Sequence, residues 1–226
     1  MTSHDCVSAV RRLYGLRRVG HAGTLDPAAT GVLVLCLGRA TRLLEYLTGG
    51  QKSYHGEVVF GVTTDSYDAD GAVLAERDAG HLTREAIEAA LPALTGEIQQ
   101  QPPMVSAKKV GGRKLVDLHR RGQSLEVQAV PVTVYRLTLT SFTPGTHPRA
   151  SLEVDCGAGT YIRSLAHDLG AALGVGAHLA ALVRTRVGAH DLAQAVTIAE
   201  LGELSPEARR TRLLPPEAAV AALPRV

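Results

Sequence analysis

Among the residues of this chain, Asp26 has the surroundings best suited to chemistry. It lies in Gly23-Thr24-Leu25-Asp26-Pro27-Ala28-Ala29-Thr30-Gly31. Pro27 confines Asp26 to extended backbone angles, and Gly23 and Gly31 allow tight turns on either side. A carboxylate held rigidly in this way can cap the following turn, or it can attack an electrophile. With an ordinary pKa of about 3.9 an Asp is ionised for the second task at neutral pH. The local residues leave both uses open.

Other kinds of site fail on spacing. Gly157-Ala158-Gly159-Thr160-Tyr161-Ile162 begins like a dinucleotide fingerprint but has Ile162 where the third Gly belongs. No G-x-x-x-x-G-K-[ST] phosphate loop occurs. Aligning Gly71 of Asp68-Ala69-Asp70-Gly71 with the turn glycine of a calcium loop leaves Ser66 and Arg77 where two carboxylate ligands are needed. Gly122-Gln123-Ser124-Leu125-Glu126 lacks the closing Gly of a serine elbow. The nine His are scattered without an H-E-x-x-H, and Cys6, Cys36 and Cys156 form no Cys-x-x-Cys pair, so no metal site is expected. An odd number of cysteines fits reduced thiols and a cytoplasmic protein.

These residues need elements to position them. The chain has 226 residues, 45% apolar and 20% charged, which is ordinary for a folded protein and too apolar for a disordered one. Without a linker signal it reads as one domain over 1–226. The longest strongly apolar stretch, Val32 to Leu37, falls far short of the roughly 18 residues of a membrane helix. Met1-Thr2-Ser3-His4-Asp5 lacks the features of a secretory signal. Residues 5–16 predict an amphipathic helix with Cys6, Val7, Val10, Leu13 and Tyr14 on one face, opened by Thr2 and Asp5 as a capping box. The pattern then predicts a strand over Val32–Leu37, a short helix near 40–47, a strand over Lys52–Phe60 and a turn at Asp70-Gly71. A helix from Thr83 to Leu94, an extended basic loop over 102–124 and strands near 125–130, 132–142 and 150–156 follow. The last elements are a helix near 160–173 and a strand or short helix near 178–187. The order predicts an α+β fold with a mixed, largely antiparallel central sheet flanked by helices.

The net charge of +2 conceals two basic concentrations. Arg11, Arg12, Arg17 and Arg18 fall within eight residues, and Lys108, Lys109, Arg113, Lys114, Arg120 and Arg121 face only Asp117. They are either solvated surface or the footprint of a nucleic-acid backbone.

The segment GHAGTLDPAATGVLVLCLGRATRLLEYL, residues 20–47, closely resembles the catalytic motif of bacterial tRNA pseudouridine-55 synthases, the TruB family. KSYHGEVVFGVTTDSYDADG (52–71), QPPMVSAKKVGGRKLVDLHRRG (101–122), CGAGTYIRSLAHDLG (156–170) and GAHLAALVRTRVG (176–188) are similar to its further motifs, in the family's order. The resemblance implies a pseudouridine-synthase fold and an isomerase that needs no cofactor, with the tRNA T-arm as partner and no obligate protein partner or membrane. It implies Asp26 as the essential aspartate, Arg163 as the arginine that pairs with it, and Tyr54 as the tyrosine that stacks on the target uracil. Tyr161 and Leu182 match pocket-lining positions, and His21 matches a histidine that stands in for displaced bases. Lys52, Lys108, Lys109, Arg113 and Lys114 are implied RNA contacts.

The chain also departs from the family pattern. It opens at Thr2-Ser3-His4-Asp5 without the usual strand carrying Lys-Pro. Val105 and Lys109 stand where the family usually has Tyr and Leu, and residues 213–226 resemble the lead-in to a PUA domain. Two other readings compete. One is an RNA-binding or tRNA-folding protein. The other is a nucleoside or glycoside hydrolase drawing its second carboxylate from Asp65, Asp68 or Asp70.

Overall fold

The computed structural model describes residues 1–106, 109–110, 113–114 and 127–220, with the backbone alone at 109–110, 113–114 and 219–220. In chain order the first elements are α1 (Ser3–Tyr14), β1 (Val19–His21), β2 (Thr30–Gly31), β3 (Leu35–Leu37), α2 (Leu44–Thr48) and β4 (Lys52–Phe60). Next come β5 (Val62–Thr64), β6 (Val73–Glu76), α3 (Arg84–Ala90), β7 (Gly96–Gln100), β8 (Lys109–Val110), β9 (Arg113–Lys114), β10 (Val130–Thr143) and β11 (Arg149–Cys156). The last are α4 (Ile162–Ala172), β12 (Ala177–Val187), β13 (His190–Asp191), α5 (Ile198–Glu203), α6 (Pro206–Thr211) and α7 (Pro216–Val220). The chain divides into two compact units, Met1–Ser53 with Val183–Val226, and Tyr54–Leu182. Strands β4 and β12 therefore each have residues in both.

In the first unit α1 starts on the predicted capping box: Thr2 Oγ1 accepts from the Asp5 amide, and the Asp5 carboxylate accepts from the Thr2 amide. The helix stops two residues earlier than its apolar period, because Gly15 takes a left-handed φ of 64° and donates to the carbonyls of Arg11 and Arg12. Val7 and Val10 are buried with Val19, and Tyr14, Leu35, Leu37 and Ile198 pack around them. β1 and β3 pair antiparallel, Val19 opposite Leu37. The strand expected over Val32–Leu37 is confined to Leu35–Leu37. Its first half changes partner, since the Val32 amide donates to the Arg184 carbonyl while the Val34 carbonyl accepts from Ala22. Helices α5 and α6 lie where the sequence pattern suggested no element. Arg209 ties them to α1 by donating to the carbonyls of Leu13, Leu201 and Gly202.

In the second unit the sheet runs β12-β4-β11-β10-β7, with β10 antiparallel to both β11 and β7. Of the strand expected over 125–130 only Val130 lies in a strand, 127–129 carry no regular structure and 125–126 lie outside the described residues, while the strand expected over 132–142 is β10. Pro131 sits inside it opposite Gln99, and β7, the partner strand there, was not anticipated. Val58, Phe60, Val134, Leu152 and Val154 supply the sheet's part of the core, with Ile87, Leu165 and Leu169 from the helices. α4 seats closely: a Cβ on Gly170 would fall 2.3 Å from the Ala177 nitrogen. Most of the expected basic loop lies outside the described residues, Lys108 included. Lys109, Arg113 and Lys114 fall on the short hairpin β8–β9, where Lys109 pairs with Lys114.

Candidate active site

In the first unit the Asp26 loop is bounded by fixed hydrogen bonds. The Ala29 amide donates to the Asp26 carbonyl, closing the turn that Pro27 begins. The Leu25 amide donates to Ser3 Oγ, and that hydroxyl donates back to the Leu25 carbonyl. Thr30–Gly31 pairs parallel with Val183–Arg184 of β12. Gly31 is the position that requires glycine: its φ is 108°, and a Cβ there would lie 2.2 Å from the Arg184 carbonyl oxygen. Arg184, only 1% exposed, donates to the carbonyls of Val32, Thr24 and Gly23.

Lys52 belongs to the same unit. It is 8% exposed, its Nζ donates to the carbonyls of Thr48 and Gly50, and its Cε is the nearest atom to the bare face of Gly23, at 3.6 Å from a Cβ built there. The ammonium thus faces main-chain oxygens beside the Asp26 loop. His21, on β1, has its Nδ1 buried without a hydrogen bond among the described residues.

In the second unit the alternation of β4 puts Tyr54, Gly56 and Val58 on one buried face. The bare Gly56 lets three side chains approach. A Cβ there would meet Leu179 at 3.2 Å, Leu182 at 3.6 Å and Ile162 at 3.7 Å. Leu182 and the Tyr54 face are therefore brought together, and Ile162 places the start of α4 against them. Tyr161, just before α4, is fixed through its main chain. Its amide donates to Gln100 Oε1 at 2.7 Å, and Gln100 Nε2 donates to its carbonyl at 3.0 Å. Gln100 is fully buried and was not singled out in the sequence. Only the β7–α4 proximity gives it a meaning.

Arg163, 4% exposed, donates to the carbonyls of Ser66 and Val105, each at 3.0 Å, and forms an ion pair with Asp68 at 3.2 Å. The other Asp68 oxygen accepts from Ser66 Oγ at 2.6 Å and from the Asp70 amide at 3.1 Å. One helical turn beyond Arg163, the His167 ring stacks on Tyr67 with centroids 3.9 Å apart. Tyr67 has a left-handed φ of 65°, rare for a bulky residue. Two successive turns of α4 thus grip the turn 64–72. Burial lowers the His167 pKa against the opposing charge of Asp168. It raises the pKa of Asp168, with His167 opposing, and that of Tyr67, with Asp168 adding to the rise. In the sequence Asp68 stands as part of a failed calcium loop and as a possible hydrolytic carboxylate; its place beside Arg163, 95 residues away, carries no local signal.

Among the described residues no group of three or more His, Cys, Asp or Glu side chains is set to hold a metal. No described helix is long and apolar enough to cross a membrane.

The loop that presents Asp26 and the turn clamped by Arg163 both lie within segments that match a family of isomerases. Residues 11–162 match the model of the TruB family pseudouridylate synthase N-terminal domain, and residues 163–221 match that of the tRNA pseudouridylate synthase B C-terminal domain. The tRNA pseudouridine synthase B of Symbiobacterium thermophilum is 53% identical over 226 residues, covering all of this chain and 74% of that protein. Its namesake in Mycobacterium avium is 52% identical over 204 residues, 90% of this chain and 66% of that one. Among solved structures a Cbf5-Nop10-Gar1 complex matches with a TM-score of 0.72 at 27% identity, over 97% of this chain and 58% of the other. An H/ACA RNP bound to a substrate RNA containing 2'-deoxyuridine matches with a TM-score of 0.69 at 26% identity, over 97% of this chain and 57% of the other. The chain spans less than two thirds of the length of those structural neighbours. It belongs to the TruB family of pseudouridylate synthases.

Proposed function

We propose that this chain isomerises uridine 55 of the tRNA T-arm loop to pseudouridine in the cytoplasm, with Asp26 as the catalytic carboxylate acting on a flipped-out base. The observation that carries the reading is the family match over residues 11–221, which spans every proposed site residue from His21 to Leu182. Asp26 attacks C6 of the uracil or C1′ of the ribose, or the base leaves first and a glycal forms. By each route the bond from C1′ to the ring nitrogen breaks and the uracil turns in the pocket. C5 then bonds to C1′, and the C5 hydrogen leaves as a proton while the freed nitrogen is protonated. No electron is gained or lost overall, so the scheme asks for no redox cofactor.

Arg163 is the arginine that the resemblance assigns to direct the aspartate. Tyr54 stacks on the uracil, worth about 1–3 kcal/mol against the few kcal/mol that unstacking a base costs. Tyr161 and Leu182 line the pocket; the approach of Leu182 to Gly56, on the Tyr54 face, supports that assignment. His21 fills the space the flipped nucleotide leaves. Lys108, Lys109, Arg113 and Lys114 hold T-arm phosphates from the 102–124 loop. Lys52, with its ammonium on carbonyls beside Gly23, supports the Asp26 loop from within rather than reaching a phosphate.

A hydrolase would need a second carboxylate and an admitted water. Asp68 is engaged by Arg163, Ser66 and Asp70 instead, which favours the isomerase. The test is pseudouridine formation in an unmodified tRNA transcript, mapped by carbodiimide labelling and primer extension. The parent chain is expected to give a stop at the T-loop uridine and Asp26→Asn none. Folded parent protein that binds tRNA but gives no stop would leave the RNA-binding reading in its place.

A further inference from the structure

We infer that Arg184 is a positioning residue for Asp26: its guanidinium holds the two arms of the Asp26 loop at a fixed separation. The inference rests on the proposed role of Asp26. Arginine stays charged at any accessible pH, so burying one is costly unless its donors are satisfied. Arg184 is 1% exposed, and among the described residues its side-chain partners are three main-chain carbonyls.

The choice of carbonyls is specific. Gly23 and Thr24 stand just before Asp26, at 3.3 and 3.1 Å, and Val32 stands after it, at 2.7 Å. One planar fork thus bridges both arms of the loop, and its geometry sets their separation more tightly than a single flexible donor would. The Arg184 backbone holds the same loop again. Its carbonyl accepts from the Val32 amide, and Gly31 lies against it too closely for any side chain. Reaction rates are sensitive to such placement, since a misplacement of about 1 Å can cost about 100-fold.

Arg209 supplies a matched control in the same unit. It too donates to three carbonyls, those of Leu201, Leu13 and Gly202, but none belongs to the Asp26 loop. The experiment compares the parent with Arg184→Ala, Arg184→Lys and Arg209→Ala. It measures single-turnover release of the uridine C5 hydrogen from a tritiated tRNA transcript, tRNA affinity by filter binding, and melting temperature. Arg184→Ala is expected to react about 100-fold more slowly with affinity within about twofold of the parent, and about 20 mM guanidinium is expected to restore at least about tenfold. Arg184→Lys keeps the charge without the fork and is expected to stay at least about tenfold slow. Arg209→Ala is expected to melt earlier yet react at the parental rate. An active parent with Arg184→Ala as fast as Arg209→Ala, or slowed without rescue by guanidinium, overturns the positioning role alone. A folded parent that releases no C5 hydrogen overturns the proposed function and this inference with it.

Discussion

The Tyr67–His167 stack links the residue scale to pH. His167 is held in its neutral form by burial, so its folded pKa lies below the ordinary value of about 6.5. A depressed folded pKa contributes stability that is fully present above the unfolded pKa and is lost as pH falls through the folded one. Asp168 runs the other way, because its raised folded pKa makes its contribution complete below about 3.9 and lost as pH rises. Melting temperature should therefore fall between about pH 7 and 5 on account of His167. His167→Phe keeps a ring for Tyr67 to stack on but cannot titrate, and should flatten that part of the profile. Asp168→Asn should raise the melting temperature at pH 7. An unchanged slope in His167→Phe would place the titration elsewhere. The stack bears on the site because Ser66 and Asp68, the partners of Arg163, flank Tyr67.

At the scale of elements, glycines separate two kinds of constraint. Gly38 has a φ of 58° with nothing within 4 Å of a built Cβ, so Gly38→Ala should cost only the backbone strain, about 1 kcal/mol. Gly31→Ala adds a collision with the Arg184 backbone at 2.2 Å and should cost about 2–4 kcal/mol. Urea unfolding of the pair measures the difference directly. Equal midpoints would mean that β2 yields easily and does not anchor the Asp26 loop. The same elements show where sequence patterning reaches. The capping box of α1 was legible because its two partners lie three residues apart. The beginning of the Val32–Leu37 run departs from its strand pattern because the hydrogen bonds of Val32 go to Arg184 of β12, some 150 residues away.

Charge acts on the scale of the whole molecule. The net charge is only +2, so attraction to the tRNA proposed as its substrate would have to come from the two basic concentrations and not from the total. If Lys109, Arg113 and Lys114 contact phosphates, replacing all three with Gln should weaken binding about equally for every tRNA. It should also flatten the dependence of log affinity on log salt by about 2–3. Filter binding between about 50 and 200 mM salt measures the slope. A slope equal to the parent's would remove this hairpin from the RNA interface. Weakening confined to one tRNA would instead mark it as a reader of sequence.

The sequence by itself determined whatever depends on neighbours along the chain. It carried the α1 cap, the alternation of β4, the rigidity given to Asp26 by Pro27, and the ordered motifs that mark the family. It gave the α+β class because helical and alternating periods are local properties. Tertiary structure alone decided the partners of buried polar groups. Gln100 on the Tyr161 main chain, Asp68 on Arg163 and Arg184 on the Asp26 loop join residues from about 60 to 160 positions apart. A polar group removed from water must find a partner wherever the fold brings one, and that partner leaves no trace in the spacing of nearby residues.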